Sequence, residues 1–341
     1  MNSGFNGIKE LFKIRELSSL FFVVILFLFV GIFNPGFLSV QNILLILNDS
    51  VVFALLAMGI SFVIITGEID VSIGAITGLC AAAAGSMIRD GVPWGQAIVL
   101  VLFLGLVCGL VNGLGCLYLR IPSIIMTLGT GGVIRGIIYV YTEGRWVTSI
   151  PDAFILIARV SFLGISVFYW FALLIAVTGT FIMTRTRQGR YFAAIGDNTA
   201  CAVFLGIPVR FTKTFSFVLS ALFSAVGGIM FASRVGMVAP IAGTGYEMRA
   251  IAACVLGGVS LSGGVGSLVG ASIGALIMAS IRPILVFLNF SADDDMITGT
   301  ILIVIIVVDA LLQQRTVEQA RRQRLLAKSA APGRVEHEKT A

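Results

Sequence analysis

Apolar runs recur along the chain, each about 20 residues long and separated by short polar or glycine-rich breaks, which is the length a helix needs to cross a bilayer core. They predict helical spans at 17–33, 43–66, 72–88, 97–119, 124–141, 162–183, 214–233, 246–260, 267–288 and 296–312. The eighth is short and rich in glycine. Gly105, Gly109 and Gly113 recur at spacing four, as do Gly266, Gly270 and Gly274. That spacing sets each trio on one helix face and lets a neighbouring backbone approach closely. The expected fold is an all-α polytopic membrane protein of about ten transmembrane helices. The first run follows Lys9, Lys13 and Arg15, as a signal peptide would, but leads through Asn34-Pro35-Gly36 toward the next span without a small-residue cleavage site. It reads as a retained helix.

Charge sets the orientation, because loops on the cytoplasmic side of a membrane carry the excess of Lys and Arg. With ten spans and the N-terminus inside, pieces 1–16, 67–71, 120–123, 184–213, 261–266 and 313–341 hold 16 of the 23 basic residues. Arg89, Arg145, Arg159, Arg234 and Arg249 fall on the opposite side, and both termini are expected in the cytoplasm. The domain reading is a cytoplasmic N-terminus (1–16), a transmembrane permease domain (17–312) with one large inner loop (184–213), and a basic tail (313–341) that is partly disordered.

Composition agrees: 58% of residues are hydrophobic, only 12% are charged, and the mean hydropathy is +1.03. The net charge of +6 is a topology signal spread over membrane-proximal loops, so no nucleic-acid partner is expected. Five scattered cysteines without a CxxC pair read as packing residues, and the one histidine, His337, lies in the tail. No catalytic residue and no metal site is expected.

The inner loop TRTRQGRYFAAIGDNTACAVFLGIPVRFTK carries the most information outside the spans. Asp197-Asn198-Thr199 offers N-cap oxygens, Thr199–Leu205 can form a short helix, Gly206 suits a left-handed C-cap, and Pro208 stops continuation. Exposed Val203, Phe204 and Leu205 fit either a docking element for a partner protein or a helix folded back on the bundle or lipid.

This loop resembles the coupling-helix segment of monosaccharide-type ABC importer permeases, with the pattern Gly-x-Asn-x-x-Ala-Ala-x-x-x-Gly-Ile. Here Gly196, Asn198, Ala202, Gly206 and Ile207 match, and Cys201 replaces the first alanine with another small apolar residue. TGEIDVSIGA (66–75) is similar to the family's Glu-Ile-Asp-Leu-Ser-Val-Gly segment. IPSIIMTLGTGGVIRGI (121–137) and the glycine-rich 243–271 follow in the family's order, so the resemblance covers about 35–312. Within it, Gly243–Gly264 and the turn at Glu143-Gly144-Arg145-Trp146 look closest to autoinducer-2 import permeases, with ribose and rhamnose permeases close behind.

The resemblance implies a bacterial inner-membrane transport subunit, not an enzyme, that moves a sugar-like solute by alternating access. It implies a separate ABC ATPase as the user of ATP, a second permease (identical or different), and a periplasmic solute-binding protein. No cofactor is expected on this chain, and neither a GxxxxGK[ST] loop nor any Gly-Lys pair occurs in it. Gly196, Asn198, Ala202, Phe204 and Gly206 are the expected ATPase-coupling residues. Glu68, Asp70, Ser72, Gly257, Gly258, Gly263 and Gly264 are expected at gate or helix junctions, with Asp70 capping the third span and its carboxylate hydrated. Glu68 is expected to pair with a basic residue of the inner loop.

Polar residues within spans, Asn48, Asp49, Asn112, Thr127 and Thr130, are candidate solute contacts. A carboxylate in a span needs a partner or a cavity, and Arg135 is one candidate for Asp49. The rival from another class is an ion-coupled secondary transporter that uses Asp49, Glu68 or Asp70.

Overall fold

The computed structural model describes residues 15–290 and isolated positions between 296 and 307. Most of the expected tenth span, the tail and all but the last residues of the N-terminal piece lie outside the described residues.

Helix α1 (Arg15–Phe33) ends in a 3-10 turn (Pro35–Leu38), where the Asn34 side chain accepts from the Gly36 N–H. Ser39 then caps α2 (Val40–Ile65), followed by α3 (Ile73–Arg89). Pro93, Pro122 and Pro151 stand just before α4 (Trp94–Leu117), α5 (Ser123–Thr142) and α6 (Asp152–Arg159), where a missing N–H breaks no helical bond. A small hairpin pairs β1 (Ser161–Phe162) with β2 (Ile165–Ser166) and leads into α7 (Val167–Arg185). Then come α8 (Arg187–Asp197), α9 (Thr199–Phe204), α10 (Val209–Val235), α11 (Tyr246–Leu256) and α12 (Leu268–Phe287).

Seven of these helices are long and apolar enough to cross a membrane: α1, α2, α4, α5, α7, α10 and α12. The expected third span, 72–88, is α3, whose 17 residues rise only about 25 Å. The expected eighth span, 246–260, is corrected to the 11-residue α11, about 16 Å long, which does not cross alone. Gly245, left-handed at φ 79°, opens it, and the Gly257-Gly258 pair closes it. The expected sixth span, 162–183, begins later, because Ser161–Ser166 turn back as the hairpin before α7 starts.

The middle of the bundle is α10, packed against α2, α3 and α4, while α12 closes over α2 and α11. Small residues allow this. A Cβ placed on Gly105, Gly109 or Gly113 of α4 would come within 2.8 Å of Ala225, Val218 or Thr214 of α10. At such separations only bare backbone fits, so dispersion contacts replace side-chain interdigitation.

Candidate functional site

The segment 66–72 between α2 and α3 is not helical, and it lies along α10. Glu68 Oε1 pairs with Lys213 Nζ at 2.6 Å, while Asp70 Oδ2 accepts from Ser220 Oγ at 2.9 Å. Residues 213 and 220 are about 10 Å apart along a helix axis, so the segment climbs roughly that distance into the bundle before α3 begins. Backbone polar groups inside a membrane bundle must find partners within the protein. Here α5 supplies them: Ile69 N–H donates to Ser123 Oγ at 3.3 Å, and Val71 N–H donates to Thr127 Oγ1 at 3.1 Å.

Asp70 is fully buried, which corrects the expectation of a hydrated carboxylate. Its Oδ1 accepts from the Ser72 N–H at 3.0 Å and from Ser72 Oγ at 2.6 Å. Ser72 itself is the N-cap residue of α3 and makes no side-chain cap bond, and Asp70 holds the Ser72 N–H just ahead of the helix instead of a first-turn N–H, which corrects the expectation that Asp70 caps the span. The chain of bonds continues: Asn112 Nδ2 donates to Ser72 Oγ at 2.8 Å, and Thr130 Oγ1 donates to Asn112 Oδ1 at 2.6 Å. Every donor points one way, toward an oxygen that ends at the Asp70 carboxylate. Asp70, Ser72, Asn112 and Thr130, with Ser220, are thus one network joining α3, α4, α5 and α10, while Thr127 stands beside it, accepting from the Val71 N–H and donating to the Ser123 carbonyl. Asn112 and Thr127 are fully buried and spend their polar atoms on protein, not on an open passage.

Below this segment sits the α8–α9 pair. The Asn198 side chain accepts from the Cys201 N–H at 2.9 Å, and Gly206 closes α9 in the left-handed region at φ 73°. Ala202 is buried, whereas Phe204 is 91% exposed. Gly196, in the last turn of α8, lies against the Ile65 carbonyl and the Gly264 N–H, and a Cβ there would collide with both. The Gly264 N–H donates to Ile65 O at 2.9 Å, and Gly263 lies 3.0–3.2 Å from Gly67 and Gly196 atoms, measured from its would-be Cβ. Three strands of backbone therefore meet without side chains between them: the end of α2, the end of α8 and the loop after α11. Gly257 abuts Gly270 of α12 and Gly258, at φ 86°, turns the chain out of α11.

Residues 42–307 match the family described as branched-chain amino acid transport system / permease component. The chain belongs to that permease family. It is 40% identical over 319 residues to the autoinducer 2 import system permease protein LsrC of Klebsiella pneumoniae, covering 93% of this chain and 92% of that one. The protein of the same name from Salmonella typhi is 39% identical over 311 residues (91% and 90% of the two chains), and that of Escherichia coli 38% over 311 residues (91% of each). No solved structure matches the chain. With its span-capable helices, the permease is a multi-pass protein of the inner membrane.

The remaining sequence candidates of the permease fall on its far half. Asn48 is pinned to the hairpin, accepting from the Ser166 N–H at 2.7 Å. Asp49 pairs with Arg234 of α10, not with Arg135. Arg135 instead donates to the Ala242 carbonyl, in the non-helical stretch that leads into α11. That stretch folds against α3: Gly243 abuts Gly74, and Ala242 abuts Gly78. The non-helical stretch before α11 thus packs on the first turns of α3.

Sequence reading missed Ser123, Ser220 and Arg234. Ser216, Ser220 and Ser224, at spacing four on one face of α10, were the available signal, since a buried serine stripe on a central helix asks for polar partners. Among the described residues no cluster of His, Cys, Asp and Glu could hold a metal ion.

Proposed function

We propose that this permease is the membrane-spanning subunit of a binding-protein-dependent ABC importer that carries autoinducer-2 or a related sugar-like solute inward. The observation that carries this reading is the α8–α9 element. It is a short capped helix with a bare Phe204 at its tip, whose base is locked by backbone contact to both the Ile65–Gly67 turn and the Gly263-Gly264 loop. A partner pushing on α9 moves the segment that holds Asp70 and the loop that ends α11 together. That is the lever an alternating-access cycle needs, with closure of a separate ATPase as the push.

In this reading both termini, the α8–α9 pair and the tail face the cytoplasm, ten crossings form the permease domain (17–312), and a second permease completes the passage. A periplasmic binding protein delivers the solute to the opposite face. The ion-coupled alternative needs a carboxylate that exchanges an ion. Asp49, Glu68 and Asp70 are each engaged by protein donors, and that favours the ATP-driven reading.

Reconstitution tests it. Vesicles holding this chain, its neighbouring permease and ATPase, with the binding protein outside, take up autoinducer-2 only when ATP is enclosed. Uptake by this chain alone, abolished by collapsing an ion gradient, overturns the assignment. Phe204→Asp leaves the folded bundle intact but uncouples ATP hydrolysis from uptake, and uptake equal to the unaltered complex counts against α9 as the docking element.

A further inference from the structure

A groove of about 810 Å³ runs between α3, α4 and α5. Its α5 side is lined at every fourth position from Ile121 to Tyr141, so it follows that helix for roughly 25–30 Å. Leu79, Ala83 and Met87 of α3 and Val107 and Val111 of α4 form the facing walls. Val107, Ile125 and Val133 are exposed, so the groove opens to the surroundings of the bundle. Only Thr130 and Tyr141 among the lining residues carry a side-chain oxygen, and the Thr130 hydroxyl is turned to Asn112 and to carbonyls of its own helix. A sugar or an ion finds no partner on such a wall. Spread over its length, the groove is roughly 6 Å across, and a helix with its side chains, about 10–12 Å across, is too thick to enter it. A single extended hydrocarbon chain fits.

The Ile121 end is charged. Arg120 precedes Ile121 and is exposed, and the Arg210 guanidinium lies 5.9 Å from the centroid of the Tyr118 ring. Val107, Val111, Leu114 and Tyr118 fall on one stripe of α4, which leads from the groove wall to that ring. The exposed rings of Phe211 and Phe215, which follow Arg210 on α10, stack at 6.1 Å. Among the described residues no carboxylate pairs with Arg120 or Arg210.

Neither arginine is explained by its helix. Arg120 stands at φ 59°, where the chain turns out of α4 and the Ile121 N–H donates to the Gly115 carbonyl at 3.3 Å. Glycine holds that conformation without strain and arginine does not, so the backbone gives no reason for an arginine here. Arg210 lies in the first turn of α10, where the helix dipole disfavours a cation. An anion shared by the two guanidinium groups offsets both costs.

We infer that the groove seats one acyl chain of an anionic phospholipid, with its phosphate held between Arg120 and Arg210 and its second chain against Phe211 and Phe215. Guanidinium groups hold phosphate through paired, charge-assisted hydrogen bonds, and basic sites between helices at the cytoplasmic side suit anionic headgroups. Bulk lipid tails are as apolar as the groove, so the groove sets the position of the lipid and the arginines set the preference for its headgroup. Only the orientation rests on the importer reading above, in which the pieces holding Arg120 and Arg210 face the cytoplasm.

Native mass spectrometry of the detergent-solubilised full chain tests this, with dipalmitoyl phosphatidylglycerol and dipalmitoyl phosphatidylcholine added in equal amounts. The unaltered protein retains several-fold more phosphatidylglycerol. Arg120→Gly combined with Arg210→Gln brings the two lipids to parity without lowering the thermal midpoint of the lipid-free protein, because glycine relieves the turn. Gly129→Phe lowers retention of both lipids, since no atom lies within 4 Å of a Cβ there and the ring fills the groove instead of the core. Equal retention of the two lipids by the unaltered protein, or a preference that survives the double variant, overturns the headgroup site. Retention untouched by Gly129→Phe overturns the groove as the seat of the tail. In the assembled importer, a Val133→Cys that cross-links to the second permease makes the groove a subunit interface and overturns it as well. Lipid retention needs neither ATP nor solute, so its failure leaves the importer reading standing, and failure of uptake leaves the lipid site standing.

Discussion

Asn112 uses both ends of its amide, accepting from Thr130 and donating to Ser72, in a site that excludes water. Truncating it leaves Ser72 with Asp70 and Thr130 with the carbonyls of its own helix, but removes two hydrogen bonds that bridge α4 to its neighbours, each worth about 0.5–1.5 kcal/mol. Asn112→Ala therefore lowers the thermal midpoint of the detergent-solubilised protein, whereas an exposed change such as Val140→Ala on α5 does not; equal midpoints refute the network's role. Gly196 is a tighter constraint, because any side chain meets the Ile65 carbonyl and Gly264 at once. Gly196→Ala leaves insertion in the membrane intact but cuts ATP-driven uptake several-fold, read in the same vesicles as the parent. Much of this was legible. Two carboxylates in a chain with 12% charged residues draw the eye. The partner of Glu68 was legible as a basic residue of the loop 184–213, where Lys213 stands, but Ser220, the partner of Asp70, was not, because it lies 150 positions downstream and only the packing of α10 brings it back.

At the scale of elements, the Glu68–Lys213 pair is the only ion pair among the described residues that ties the 66–72 segment to the foot of α10. Lys213 follows α9 by only nine positions, so in the coupling proposed above the pair links α9 to the segment. Glu68→Lys and Lys213→Glu each reduce coupled uptake, and the double exchange restores part of it, with an interaction energy of roughly 0.5–3 kcal/mol. Additive losses in the double variant remove the pair from the coupling route. The short helix α9 was readable from its cap, its glycine and its proline, all local signals. Helix α8 and the early end of α11 were not. Hydropathy runs on through Gly257 and Gly258 as though a span continued, while the left-handed turn at Gly258 breaks it. Periodicity registers burial, and a helix that stops halfway is as buried as one that crosses.

For the whole molecule, α4 and α10 touch backbone to backbone along Gly105, Gly109 and Gly113, and α3 is tied to both by Asn112 and Ser220. These three helices are packed as one body, with α2 lying against α10 as well. Gly109→Leu forces the body apart, and overpacking of that kind costs about 1–3 kcal/mol; it is checked by loss of folded protein in gel filtration after solubilisation, and an unchanged profile refutes it. The fold class was legible because length and apolarity alone define a span, as the seven span-capable helices bear out.

Phe204, at 91% exposure, with Val203 and Leu205 beside it, gives the isolated chain a sticky tip in water. If α9 docks an ATPase as proposed, a copy made without that partner is a client for chaperones and proteases, and its abundance in the cell follows that of the ATPase. Synthesis of the two in step then becomes a requirement for yield, and an excess of permease is lost to turnover before it is lost to misfolding.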